Sequence, residues 1–144
     1  MRIVLDTNVL ISALITQGTP PDRLYQAWLR NEIELVTSTA QIDELADVLS
    51  RPRLRKYVDP ADAAGLVSDI RLRAIVIRDM PVPRLSPDPK DDAILASAVA
   101  GGAELVVSGD KPGMLALGEV QGIPIRTPRE ALEIALAPPA TGSS

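Results

Sequence analysis

Two carboxylates stand where short apolar runs end: Asp6 after Ile3-Val4-Leu5, and Asp110 after Leu105-Val106-Val107-Ser108-Gly109. Continuous β-branched runs of this kind suit strands buried on both faces. In a parallel α/β sheet, ligands bind in the crevice beyond the strands' carboxyl ends. Two acids delivered there from distant parts of the chain suggest a metal-dependent site. The chain has no His and no Cys. That removes imidazole bases, Ser-His-Asp triads, thiolate nucleophiles, disulfides and histidine or cysteine metal sites. Any catalysis must rest on carboxylates, hydroxyls, amides, Lys, Arg and a bound cation. Asp and Glu are hard oxygen ligands, so the expected cation is Mg²⁺ or Mn²⁺.

The elements that would carry these acids alternate along the chain. Ile3 to Leu5, Ile33 to Val36, Ala74 to Ile77, Leu105 to Val107 and Ile123 to Ile125 read as five buried strands. Between them lie helical patterns. Pro20-Pro21 opens one ending near Arg30, Ser38 or Thr39 caps another running to about Ser50, and Asp59-Pro60 starts a third. Asp91 to Ala100 forms a fourth, stopped by Gly101-Gly102, and shorter helices fit Pro112 to Leu117 and Pro128 to Leu136. Strand–helix alternation predicts a parallel, three-layer α/β/α sheet. The proline-rich stretch from Met80 to Pro89 reads as stiff and extended, delivering the chain to Asp91-Asp92 at a helix start.

The 144 residues are enough for one domain with a substantial core, expected over residues 1–136, and the tail from 137 to 144 reads as disordered. Fifteen Lys and Arg against nineteen Asp and Glu give a net charge of −4, which argues against a broad electrostatic coat for nucleic acid. Arg51-Pro52-Arg53-Leu54-Arg55-Lys56 is a local exception. It reads either as a basic face or as a solvated helix end with cations near a C-terminus. No apolar run is long enough to span a bilayer and none reads as a signal peptide, so the expected location is the cytoplasm.

Each acid has a purely structural reading as well. Asp6 could cap a following helix, Asp91 or Asp92 could favour a helix N-terminus, and Asp110 could be a turn residue. Their arrangement says more. At about 100° per residue, Ile42, Leu45, Val48 and Leu49 form the buried face of one helix, with Glu44 at its border and Asp43 and Asp47 further out. On the later helix, Ile94, Leu95, Ala98 and Val99 form the stripe, Asp92 lies near its edge, and Asp91 projects along the stripe one turn earlier. Two unit charges about 4 Å apart repel by about 4 kcal/mol at an effective dielectric of about 20. Four clustered acids therefore require protonation or a cation.

The motifs Ile-Val-Leu-Asp-Thr-Asn-Val-Leu at 3–10, Glu44-Leu45, Asp-Pro-Lys-Asp-Asp-Ala-Ile-Leu-Ala at 88–96 and Leu-Val-Val-Ser-Gly-Asp at 105–110 together resemble the PIN-domain nuclease family. The resemblance runs from Ile3 to about Leu136, over the five-stranded parallel sheet that the strand–helix alternation predicts. It implies a catalytic, metal-holding quartet of Asp6, Glu44, Asp92 and Asp110, supported by Asn8 and Ser108, while Asp91, by its place on the helix, either supports the site or merely caps. The implied activity is Mg²⁺-dependent hydrolysis of single-stranded RNA, leaving a 5′-phosphate and a 3′-hydroxyl. Within the family the chain is most similar to toxin components of bacterial toxin–antitoxin pairs, which implies an antitoxin partner and a homodimer. Leu24, Trp28 and Leu29 are the expected exposed dimer surface, the alternative being that they pack in the core. One departure is Lys111-Pro112-Gly113-Met114, where many members carry a further acid.

Three rivals are weaker. A haloacid-dehalogenase-type phosphatase needs a second Asp two residues after the first, where Asn8 stands. A Mg²⁺-binding receiver domain needs a phosphorylatable Asp after the middle strand, and Ile75-Val76-Ile77 leads to Arg78-Asp79. The non-enzymatic rival is a PIN-like scaffold retained for binding, its acids serving an antitoxin or a dimer, and the intact quartet argues against it.

Overall fold

The apolar runs pair because their backbone groups, once buried, find partners only in a ladder. In a computed structural model describing residues 1–110 and 112–136, the strands are β1 (Arg2–Leu5), β2 (Glu34–Ser38), β3 (Ile75–Ile77), β4 (Leu105–Val107), β5 (Glu119–Val120) and β6 (Ile123–Arg126). The helices are α1 (Thr7–Ile15), α2 (Pro20–Leu29), α3 (Thr39–Leu49), α4 (Pro60–Arg73), α5 (Pro89–Ala100), α6 (Met114–Leu117) and α7 (Pro128–Ala135), with a 3-10 turn over Pro52–Lys56. The tail expected from 137 to 144 lies outside the described residues.

The sheet order is β3-β2-β1-β4-β6-β5. All neighbours are parallel except β5 and β6. The five expected strands are thus present and parallel. The sixth, β5, is a two-residue antiparallel addition reached through Gln121-Gly122, both at positive φ (47° and 83°), the conformation of a tight type I′ hairpin. Two residues leave no apolar run to read. Helix α1 is also cryptic in the sequence. Val9, Leu10, Ile11 and Ala13 are buried on several of its sides, so its residues show no amphipathic period.

Alternate strand residues face opposite layers, as the pleat requires. Ile3, Leu5, Leu35, Leu105 and Val107 pack with α1, α2, α3, α4 and α7 in one core. Val4, Val36, Val106 and Ile125 pack with Ile94, Leu95 and Ala98 of α5 and Met114 of α6 in the other. The expectation that Leu24, Trp28 and Leu29 form an exposed dimer surface fails. Leu24 and Trp28 belong to the first core at 0% and 3% exposure, and Leu29 packs against it. The apolar face of α2 is consumed within the chain, and the Arg73 guanidinium lies 5.6 Å from the Trp28 ring centroid. No helix among the described residues is long and apolar enough to cross a membrane.

From β1 the chain moves outward through β2 to β3, then returns to β4 on the other side of β1. The strand order therefore reverses between β1 and β4, and a crevice opens beyond their carboxyl ends. Gln41, buried in the first turn of α3, fixes that helix to the end of β1. Its Nε2 donates to the Leu5 carbonyl at 2.6 Å, and its Oε1 accepts from the Thr37 hydroxyl at 3.1 Å. The Ser38 side chain caps the same turn by accepting from the Gln41 N–H. Replacing Gln41 by Leu would strand a buried carbonyl and a buried hydroxyl, at a cost of about 1–3 kcal/mol. Gln41→Leu should lower the unfolding free energy by that amount, read as a lower urea midpoint at unchanged m-value, and an unaltered midpoint would show that the two groups find other partners.

Candidate active site

Asp6 is the first residue past β1. Its N–H donates to the Val107 carbonyl at 2.9 Å, and its own carbonyl accepts from Val9 and Leu10 to start α1. The backbone thus turns from strand to helix at this residue, leaving its side chain at the crevice. The carboxylate is largely buried and accepts from the Ser108 hydroxyl at 3.0 Å. The same Ser108 oxygen accepts from the Asp110 N–H at 3.1 Å. One hydroxyl therefore joins the segment after β4 to the acid after β1. Glu44 reaches in from α3, with the Thr7 hydroxyl 3.5 Å from its Oε2.

Asp6, Asn8, Glu44, Asp91 and Asp110 line one polar cavity of about 230 Å³. A larger cavity of about 540 Å³, between α3 and α4, is mostly apolar and has no acid on its walls. The polar cavity is where the chemistry gathers.

Burial pushes the Asp6 carboxyl above its ordinary range. The Ser108 hydroxyl and the Thr7 N–H pull against that rise, while the charges of Glu44 and Asp110 add to it. Asp91 is pushed up to about 6, first by desolvation and then by Asp88, Asp6, Asp110 and Asp92. Like charges crowd this cavity with too little positive charge to offset them.

The neighbouring acids Asp91 and Asp92 part company. Asp91 faces the cavity. Asp92 is buried, and its Oδ1 accepts from the Leu85 N–H (3.0 Å), the Ser86 N–H (2.7 Å) and the Ser86 hydroxyl (2.8 Å). Desolvation alone would raise its carboxyl, but those three donors outweigh it and hold the group below the usual range. The structure therefore brings Asp6, Glu44, Asp91 and Asp110 together and turns Asp92 toward the proline-rich segment. Helix α5 starts at Pro89, with Asp88 capping it through the Lys90 N–H. One step along a helix is about 100°, enough to send adjacent side chains in different directions.

Gly113 is a residue the sequence reading passed over. Its Cα lies so near the Asp110 carboxylate that a Cβ there would overlap the carboxylate oxygens. In the departing Lys-Pro-Gly-Met segment, glycine makes room for the acid. Its only sequence signal is a Pro-Gly pair directly after a candidate ligand.

The donor set is all oxygen, from five carboxylates, one of them the α5 cap Asp88, and an amide, which matches a hard divalent cation. Among the described residues no three acids are drawn together closely enough to hold an ion as their side chains lie, so holding one requires these side chains to close inward.

Comparisons with known proteins agree with this architecture. A family model described as "PIN domain" matches residues 2–112. Among solved structures the chain is similar to PAE2754 from Pyrobaculum aerophilum, with a TM-score of 0.62 and 18% identity over 95% of this chain and 90% of that one. It is also similar to VapBC2 from Rickettsia felis bound to a DNA fragment from their promoter, with a TM-score of 0.54 and 12% identity over 88% and 98% of the two chains. At such identities the likeness is one of fold. No curated protein sequence matches the chain.

The crowding has a testable consequence for the metal-free protein. Because the folded carboxyl of Asp91 sits near 6 against an ordinary 3.8, the folded state binds more protons between those values. The stability this group permits is present at low pH and is lost as pH rises through about 6. Asp91→Asn should therefore stabilise the chelated protein at pH 7.5, by on the order of 1 kcal/mol once solvent screening is allowed for. The gain should vanish near pH 4. Thermal melts in EDTA across that range measure it, and a gain that does not depend on pH would refute the charge origin.

Proposed function

Because the chain belongs to the PIN-domain family, whose members are generally nucleases, we propose that it is a Mg²⁺- or Mn²⁺-dependent endoribonuclease. It hydrolyses single-stranded RNA to leave a 5′-phosphate and a 3′-hydroxyl. The observation that carries this reading is the meeting of Asp6, Glu44, Asp91 and Asp110 on one cavity beyond β1 and β4. Asp91 takes the place that the sequence motif offered to Asp92. Asp92 serves instead by tying Leu85 and Ser86 to α5.

In this reading Asp6, Glu44, Asp91 and Asp110 would hold the cation, which would supply polarisation of a phosphoryl oxygen and a more acidic water. Ser108 holds the Asp6 carboxylate and the Asp110 backbone in one geometry, so two ligands move as a unit. Thr7 orients Glu44. Asn8, exposed at the rim, offers an amide to the substrate. Raised carboxyls release their protons when the cation enters, so affinity for Mg²⁺ weakens as pH falls through about 6. The family resemblance and the fold shared with VapBC2 support a toxin held by a protein antitoxin. A homodimer implied by the same resemblance must use a surface other than Leu24 and Trp28.

The purified protein should cut single-stranded RNA in Mg²⁺ or Mn²⁺ and be silent in EDTA. Asp6→Asn, Asp91→Asn and Asp110→Asn should each remove cleavage while leaving the fold intact, and growth arrest on expression should disappear with them. Cleavage that survives chelation refutes the proposal. At a hundredfold excess of Mg²⁺ over its dissociation constant, wild type should gain about 2.7 kcal/mol, a melting shift of several degrees. Asp92→Asn should keep that shift from a lower starting temperature, whereas Asp91→Asn should lose it. The reverse pattern would return Asp92 to the ligand set. Gly113→Ala, which displaces the Asp110 carboxylate, should also lose most of the shift.

A further inference from the structure

A chain of net charge −4 with five acids lining its cleft repels the polyanion it is proposed to cut. Cations must offset this locally. Three of them, Arg51, Arg53 and Lys90, line the acidic cavity itself. They come from two elements: the 3-10 turn after α3 supplies the arginines and the first turn of α5 supplies the lysine. Pro52 fixes the backbone between the arginines, and partly buried Leu54 anchors the turn. All three cationic residues are exposed. Arg51 is paired with Asp47 at 3.2 Å, whereas among the described residues Arg53 and Lys90 make no ion pair. Nor do these cations appear among the groups that act on the Asp6 and Asp91 carboxyls.

The charge is also one-sided. A hollow of about 370 Å³ between α3 and α5 shares Glu44, Arg51 and Lys90 with the acidic cavity and adds Asp47, already paired with Arg51, while Arg53 lines the acidic cavity alone. On the opposite flank, a hollow of about 430 Å³ shares Asn8 and Asp110, and its remaining walls, Val9, Ser12, Pro21, Gly109 and Pro128, carry no charge. We infer that Arg53 and Lys90, seconded by Arg51, grip a substrate phosphate adjacent to the one being cut, on the α3–α5 side of the acids only. The hollow without cations receives the chain on the other side. This rests on the nuclease reading and adds to it a polarity of substrate binding.

The test is equilibrium binding of fluorescein-labelled 12-nucleotide RNAs, oligo(U), oligo(C) and a mixed sequence, to the Asp110→Asn protein in EDTA, where no cleavage competes. Adding Arg53→Ala or Lys90→Ala should weaken binding several-fold, equally for the three RNAs. Each should flatten the dependence of log affinity on log salt by about 0.7, the single-strand value for one phosphate contact. Arg53→Lys should restore the slope, and Arg71→Ala, on α4 and off the walls of the acidic cavity, should change nothing. Methylphosphonate substitution walked along the mixed sequence should weaken binding to the Arg53-containing protein at one linkage, and that linkage should become silent in Arg53→Ala. A slope untouched by both alanine variants, in a protein that binds RNA, overturns this inference and leaves the nuclease reading standing. Absence of RNA binding by every form overturns both.

Discussion

Everything at the cleft depends on the register between β1 and β4. Ile3 lies opposite Leu105, Val4 opposite Val106 and Leu5 opposite Val107, and the ladder extends one step further through the Asp6 N–H to the Val107 carbonyl. Only in that register does the residue after one strand meet the residues after the other. A slip of one position would exchange the faces of every side chain in the strand. Both faces are buried here, Ile3 and Leu5 in one core and Val4 in the other, so a slipped strand fits neither layer. Packing on both sides thus specifies the distance between two groups 102 residues apart. The hydroxyl of Ser108 needs no long reach because the sheet has already brought Asp6 to it.

The same folding that gathers the acids raises their energy. Asp6 and Asp91 sit above their ordinary range because burial and neighbouring carboxylates penalise the charged form. Asp92 shows what relief looks like, since three donors on one oxygen more than cancel its burial. These two adjacent residues of one type differ only in what surrounds them. One is structurally satisfied and the other is left with its charge uncompensated. An uncompensated acid on a cavity wall, beside others like it, is poised to accept a ligand of opposite sign.

Much of this could be read from the residues themselves. Continuous β-branched runs gave the parallel sheet, and capping residues such as Ser38, Asp59 and Thr127 mark helix starts where side-chain hydrogen bonds are found. Asp6 and Asp110 stand beyond strand ends as their neighbours suggest, and the helical period puts Glu44 at a border facing the cleft. The choice between Asp91 and Asp92 was not legible. It is set by the helix starting at Pro89 and by the path of Leu85 and Ser86, in an irregular segment with no periodicity to encode it. Gly113 was equally hidden, because its role is defined by a side chain folded back over it. Trp28 misled for a related reason. A single amphipathic face does not reveal whether its partner is another copy or the chain's own α1 and α7.

The sheet's two borders have a consequence for life at high concentration. An open parallel sheet ends in rows of unpaired backbone groups that invite another copy to add a strand. On one side, the two-residue β5 occupies the edge of β6 and offers almost no strand beyond itself. On the other, β3 spans only Ile75–Ile77, and the chain leaves it through Asp79 at a φ of +50° before four prolines within ten residues. Neither border presents a long, flat template. Such borders let the chain reach high concentration while resisting filament growth by strand addition.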